Sequence, residues 1–244
     1  FYKVITRTGL VNNHYLAFSG GTPQSNYRAS FGLMDHNTII KNMDYGNFVA
    51  KIDVTQKAFN DRLTGDFGVF GSSFRNHDIY DTQMLFYSAA CQNPTFPAGT
   101  DANGNWNKNE VATHINPPGA VLHEKNDSKD LNFDAHIKLN YDLSPEWSIS
   151  TFGSYLYGSN EVSQFCPTWV WAQGNVYRGE FKKEEWLGNV SIDFNKEIGI
   201  HKVSATASTE YRKLRKTAFW ITAKGIPTNG FNYDNIGATA ARPY

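Results

Sequence analysis

The chain has 244 residues, of which 40% are hydrophobic and 15% aromatic, and its 23 basic residues are matched by 23 acidic ones. A net charge of zero argues against nucleic-acid binding, which needs a basic face. No apolar run approaches the roughly eighteen residues of a membrane-crossing helix, and the length accommodates one or two ordinary domains.

The chain opens on Phe1-Tyr2-Lys3 in ordinary sequence, with no leader, so it reads as a piece of a longer protein whose targeting segment lies elsewhere. From His14 to Ser19 a short strand is expected, followed by a turn from Gly20 to Asn26. Tyr27, Ala29, Phe31 and Leu33 then alternate with Arg28, Ser30 and Gly32. Phe48, Ala50, Ile52 and Val54 alternate with Val49, Lys51, Asp53 and Thr55. After a turn at Asn60-Asp61-Arg62, an apolar or small face recurs at Leu63, Gly65, Phe67, Val69 and Gly71. The segment from Asp78 to Ala90 reads as a short helix with Met84, Leu85 and Phe86 on its apolar side.

The fifth strand carries the most information. Leu131, Phe133, Ala135, Ile137, Leu139, Tyr141 and Leu143 occupy every second position, and Asn132, Asp134, His136, Lys138, Asn140 and Asp142 occupy the rest. Period-two alternation marks a strand with one apolar and one wet face. A globular strand usually runs ~5–6 residues, whereas a strand tilted across a bilayer needs ~9–11. The expectation is therefore a transmembrane strand, with Leu131, Phe133, Ile137, Leu139 and Leu143 toward lipid. Asn132, Asp134, His136 and Lys138 would then face the lumen. Three further strands follow, from Trp147 to Tyr157, from Trp186 to Phe194 and from Val203 to Tyr211.

The connections alternate in length. Strands pair through short turns, while the links between pairs are long, spanning roughly 35–47, 74–130 and 159–185. That asymmetry is expected of an outer-membrane barrel, with short periplasmic turns and long extracellular loops. Tyr141, Trp147 and Phe194 gather near short turns, and Tyr155, Tyr157 and Trp186 near long links, as two interfacial girdles would require. The fold expected is all-β: an antiparallel transmembrane barrel segment of about eight strands, filling 1–244 without a visible domain boundary, with outer strands that do not pair with each other. The alternative is a soluble or surface β-sandwich binding module, which would bury the alternating apolar face.

No catalytic signature is present: the seven His are scattered, and no HExxH, Walker loop or GxSxG elbow occurs. Neither a cofactor nor a metal is implied, and an enzyme is not expected. Cys91 and Cys166 fall outside the expected strands, and two separate thiols are expected. Phe165, Cys166, Pro167, Trp169, Trp171 and Tyr177 form an aromatic cluster in the third long link. Phe165, Trp169, Trp171 and Tyr177 are candidates for contact with a solute or a partner lid, and packing of the loop on itself is the alternative.

Particular stretches resemble a known family. His14-Tyr15-Leu16-Ala17-Phe18-Ser19-Gly20-Gly21 followed by Asn26-Tyr27-Arg28-Ala29-Ser30 is similar to an early barrel hairpin of the SusC/RagA family of TonB-linked outer-membrane transporters of Bacteroidota. Asp35-His36-Asn37-Thr38-Ile39-Ile40-Lys41 resembles the next segment, with Thr38 where Gly is usual. Asn93-Pro94-Thr95-Phe96-Pro97 and Asn116-Pro117 look like its paired Asn-Pro elements, and the stretch from Glu210-Tyr211 through Gly225-Ile226-Pro227 to Asn235-Ile236-Gly237 matches in character. The resemblance implies about the first third of a barrel of ~22 strands. Such a barrel sits in the bacterial outer membrane, is occluded by a plug, is energised through TonB, and is lidded by a SusD-like lipoprotein. It imports oligosaccharides or peptides. The plug and the TonB-contacting segment have no counterpart in these residues.

Overall fold

The computed structural model describes residues 1–108, 115–170 and 173–240. Each alternating segment is a strand, and the strands join in one antiparallel sheet in sequence order: β1 (Leu10–Gly21), β2 (Ser25–Asn37), β3 (Asp44–Ala58), β4 (Leu63–Asp78), β5 (Lys125–Asp142), β6 (Trp147–Cys166), β7 (Asn175–Ile198) and β8 (His201–Ala223). Helices α1 (Tyr2–Ile5), α2 (Thr82–Cys91) and α3 (Pro117–His123) lie at the end bearing the longer connections. Among the described residues no ladder joins β1 to β8, so the sheet has two open edges, as expected.

Register keeps the two faces chemically separate across the whole sheet. One row of directly paired residues runs Phe18, Ala29, Ile52, Val69, Ala135, Tyr155, Trp186 and Lys213, apolar until the last strand. The adjacent row, on the opposite face, runs Ser19, Arg28, Asp53, Gly68, His136, Ser154, Leu187 and Arg212. A slip of one residue would exchange the faces. The apolar face is uncovered: Ile52 is 48% exposed, Val69 44% and Ile137 39%. A sandwich would bury these side chains beneath a second sheet, and among the described residues there is none.

Aromatic pairs border the apolar face. Trp147 and Phe194 meet at 4.7 Å between ring centroids near the short turns, and Tyr155 and Trp186 meet at 4.2 Å toward the other end. The short turns are tight where their residues permit it. Gly199 supplies the left-handed φ of +62° that opens the two-residue β7–β8 turn. These turns also descend like a staircase. The row that ends β1 at Gly21 passes through Asp66 and Lys138 to Asn189, nine residues before β7 ends at Ile198.

The strands exceed expectation at the opposite end. β7 has 24 residues and β6 has 20, so the links expected over 35–47 and 159–185 shrink to 38–43 and 167–174. The reason is that the period-two pattern fades where both faces are wet, as at Asn160, Glu161, Lys182, Lys183 and Glu184, although the hydrogen-bonded ladder continues there. Among the described residues only the link between β4 and β5 remains long, at 79–124.

The helix expected from Asp78 to Ala90 is α2, capped by the Asp81 carboxylate, which accepts from Met84 N–H. Its buried side is Leu85, Ser88 and Ala89, whereas Phe86 is exposed. Cys91 ends α2 and Cys166 ends β6, so the latter lies in a strand rather than a link; no disulfide joins them.

Candidate functional site

On the polar face, Asp134, His136 and Lys138 stand side by side on β5, as their alternate spacing requires. The His136 ring lies against the Asp134 carboxylate, Nδ1 to Oδ1 at 3.4 Å, and stacks on Phe152 at 6.2 Å. Its room comes from Gly68, directly opposite on β4. A Cβ there would lie 2.2 Å from His136 Cε1. Further along the face, Glu185 takes two cations, Lys183 at 2.9 Å and Arg212 at 2.6 Å. Lys51 and Asp53 pair at 3.0 Å.

The long β4–β5 link folds into a small cap with its own core. Ile5, Ile40, Ile79, Leu85, Ala89, Ile115, Ala120 and Val121 are buried there, and Trp169 and Val170 pack against them. Asn116 organises it. Its Oδ1 accepts from Gly119 N–H, capping α3, while its Nδ2 donates to the carbonyls of Ala98 and Asn107. Pro117 follows at the first helical turn, where the missing N–H carries no cost. The second Asn-Pro element is thus a helix start.

The aromatic candidates do not form one exposed cluster. Trp169 is half-buried, its ring 6.1 Å from both Trp106 and His123, which are themselves 5.8 Å apart. The two indoles crowd onto Gly119, where a Cβ would lie 2.7 Å from Trp106 and 2.8 Å from Trp169. Phe165 belongs to β6, not to a link, and is 1% exposed beside Val176 and Ile226. Tyr177 belongs to β7, and its hydroxyl end covers Gly179. Trp171 lies outside the described residues.

Trp106, His123 and Glu124 carry no motif or spacing that would mark them in advance. Trp106 stands alone in an Asn-rich stretch, and its partners come from distant positions. Glu124, at the C-terminal cap of α3, is 4% exposed. Its Oε2 accepts from Asp81 N–H at 3.3 Å, and among the described residues Oε1 has no hydrogen-bond partner. Burial pushes this carboxyl up to about 7, aided by the nearby Asp81 charge and opposed by the Asp81 N–H bond. Burial likewise lowers His123. Beyond β8, Tyr233 donates to Asp127 at 2.5 Å, and both burial and that carboxylate raise its phenol. Among the described residues no three His, Cys, Asp or Glu side chains converge as metal ligands. The arrangement presents a wall of polar and charged side chains below the packed core of the cap.

No family model matches the chain. Two curated proteins do align with it. TonB-dependent receptor P3 of Formosa agariphila is 24% identical, over 98% of this chain and 25% of its own length. TonB-dependent receptor SusC of Bacteroides thetaiotaomicron is 26% identical, over 88% of this chain and 24% of its own length. The chain therefore spans about a quarter of the curated relatives it matches. Among solved structures, the RagAB peptide importer superposes in its closed-closed state with a TM-score of 0.74 and in its open-open state with 0.76. Each superposition covers 99% of this chain at 13% identity, and 29% and 28% of the importer chain respectively. The fold is thus that of a segment of an antiparallel transmembrane β-barrel. In sequence the chain is similar to the two aligned TonB-dependent receptors, and in fold it is similar to the RagAB importer chain.

Proposed function

We propose that residues 1–244 form part of the barrel wall of an outer-membrane importer that takes up oligosaccharides or peptides. The observation that carries this reading is the uncovered apolar face, held in register across all eight strands against a charged opposite face. Lipid explains the first face, and a water-filled, solute-conducting lumen lined by Asp134, His136 and Lys138 explains the second. Transport and not bond chemistry is then the activity. Energy reaches the barrel through TonB by way of a plug outside these residues.

In this reading a SusD-like lipoprotein rests on the capped rim. Irregular backbone cannot face hydrocarbon because its polar groups would go unpaired, so the 79–124 link must meet water, solute or a partner. Trp169, Trp171, Tyr177 and Phe165 are the proposed rim contacts, Phe165 by supporting the rim from its buried position. The test replaces Trp169, Trp171 and Tyr177 with Ala in the full-length transporter and measures lid co-purification and solute uptake. Normal barrel assembly with both quantities reduced is expected. Wild-type values for both would reduce the aromatics to packing of the cap.

A further inference from the structure

One cavity on the polar face has no role in the description so far. It holds about 550 Å³ and lies over β5 to β8, with Gly158 on its floor. One cross-strand row runs through it: Asn132, Gly158, Lys183 and Lys216. Gly158 keeps the floor low, since a Cβ there would come 3.3 Å from Asn132 Oδ1. In the neighbouring row Asp130 and Phe181 line the cavity. The Phe181 ring lies nearly parallel to Trp220, at 11° with centroids 6.5 Å apart.

The charge arrangement is unusual for a resting sheet. Lys183 and Lys216 sit directly opposite each other, and like charges so placed repel. Glu185 relieves only part of this, because it is shared between Lys183 and Arg212. Among the described residues no carboxylate lies within ion-pair distance of Lys216. Asp130 lines the far side of the cavity, where it accepts from Asn160 at 2.6 Å. The cavity thus offers a partly compensated cation pair at one end, a flat apolar wall in the middle and an acceptor at the other end.

We propose that this cavity is a solute subsite for a carboxylate-bearing molecule. Its carboxylate bridges Lys183 and Lys216, its ring or apolar part lies on Phe181, and a hydroxyl or ammonium donor points to Asp130. The proposal rests on the import reading and narrows it to anionic solutes. Two sources share this chemistry, an oligosaccharide ending in a uronic acid and a short peptide with a free C-terminus.

The experiment measures equilibrium binding to the purified full-length transporter at fixed ionic strength. Two pairs of probes are used: a glucuronic-acid-terminated disaccharide against its methyl ester, and alanyl-phenylalanine against its C-terminal amide. At least one free acid is expected to bind about tenfold tighter than its neutral counterpart, the scale of one charged hydrogen bond, and the pair that does so identifies the source. In K183Q/K216Q that ratio should fall to within about twofold, while K213Q, on the opposite face, should keep it. Equal binding of acid and neutral forms in both pairs overturns the proposal, as does an unchanged ratio in K183Q/K216Q. If the double variant fails to assemble, K216Q alone, which leaves the Lys183–Glu185 pair intact, must lower the ratio for the proposal to stand. TonB-dependent uptake, measured separately, tests the import reading, so either can fail without the other.

Discussion

Burial with one oxygen unpaired makes Glu124 the side chain whose protonation most affects the cap. Its carboxyl rises from 4.5 to about 7 on folding, so the folded state holds its proton more tightly than the unfolded chain does. Stability is therefore fully present below about 4.5 and declines as pH rises through about 7, by about 3 kcal/mol for a shift of this size. Amide exchange in α2 and α3, corrected for intrinsic rates, should quicken between about pH 4.5 and 7 in the wild type, and the dependence should flatten in Glu124→Gln. On the apolar face, Ile137→Arg should cost ~2–4 kcal/mol if the site lies near the bilayer midplane. Urea unfolding of the full-length barrel in vesicles measures it. A cost near zero would mean that lipid does not touch Ile137.

Among the elements, the cap is held by a contact that glycine alone permits. Adding a side chain at Gly119 forces Trp106 and Trp169 apart, so Gly119→Val should destabilise the cap by about 1–3 kcal/mol, as overpacking usually does. Limited proteolysis should then cut within 79–124 faster while the strands stay protected. Strand existence and facing were legible because Leu131 to Leu143 alternates without a break, and the register extends that pattern to all neighbours. Strand length was not legible. Where Lys182, Lys183 and Glu184 have water on both faces, no periodicity survives in the sequence, yet the backbone bonds of β7 to β6 and β8 continue. The polar trio of Asp134, His136 and Lys138 could be read from spacing alone. The meeting of Trp106, His123 and Trp169 could not, because it depends on how a long link folds back on itself.

For the whole molecule, the open edges decide behaviour. β8 is exposed along nearly its entire length, and an unpaired edge of that size templates association with other strands. Residues 1–244 produced alone and refolded in detergent should therefore give aggregates or oligomers, without the heat-modifiable gel mobility of a closed barrel. The full-length protein should show that mobility. A monodisperse, heat-modifiable monomer from 1–244 would mean that β1 and β8 can close on each other.

The descending turns fix how much wall these strands supply. A drop of nine residues across the six strands from β1–β2 to β7–β8 is about 1.5 residues per strand. With ~3.3 Å of rise per residue and ~4.8 Å between strands, this corresponds to an inclination of about 45°. Each inclined strand then occupies about 7 Å of perimeter, and eight occupy about 54 Å. Joined end to end, that perimeter would enclose only enough space for its own inward side chains. Left open, the same strands leave their polar face free, and a molecule large enough to touch Lys183, Phe181 and Asp130 together can lie against it.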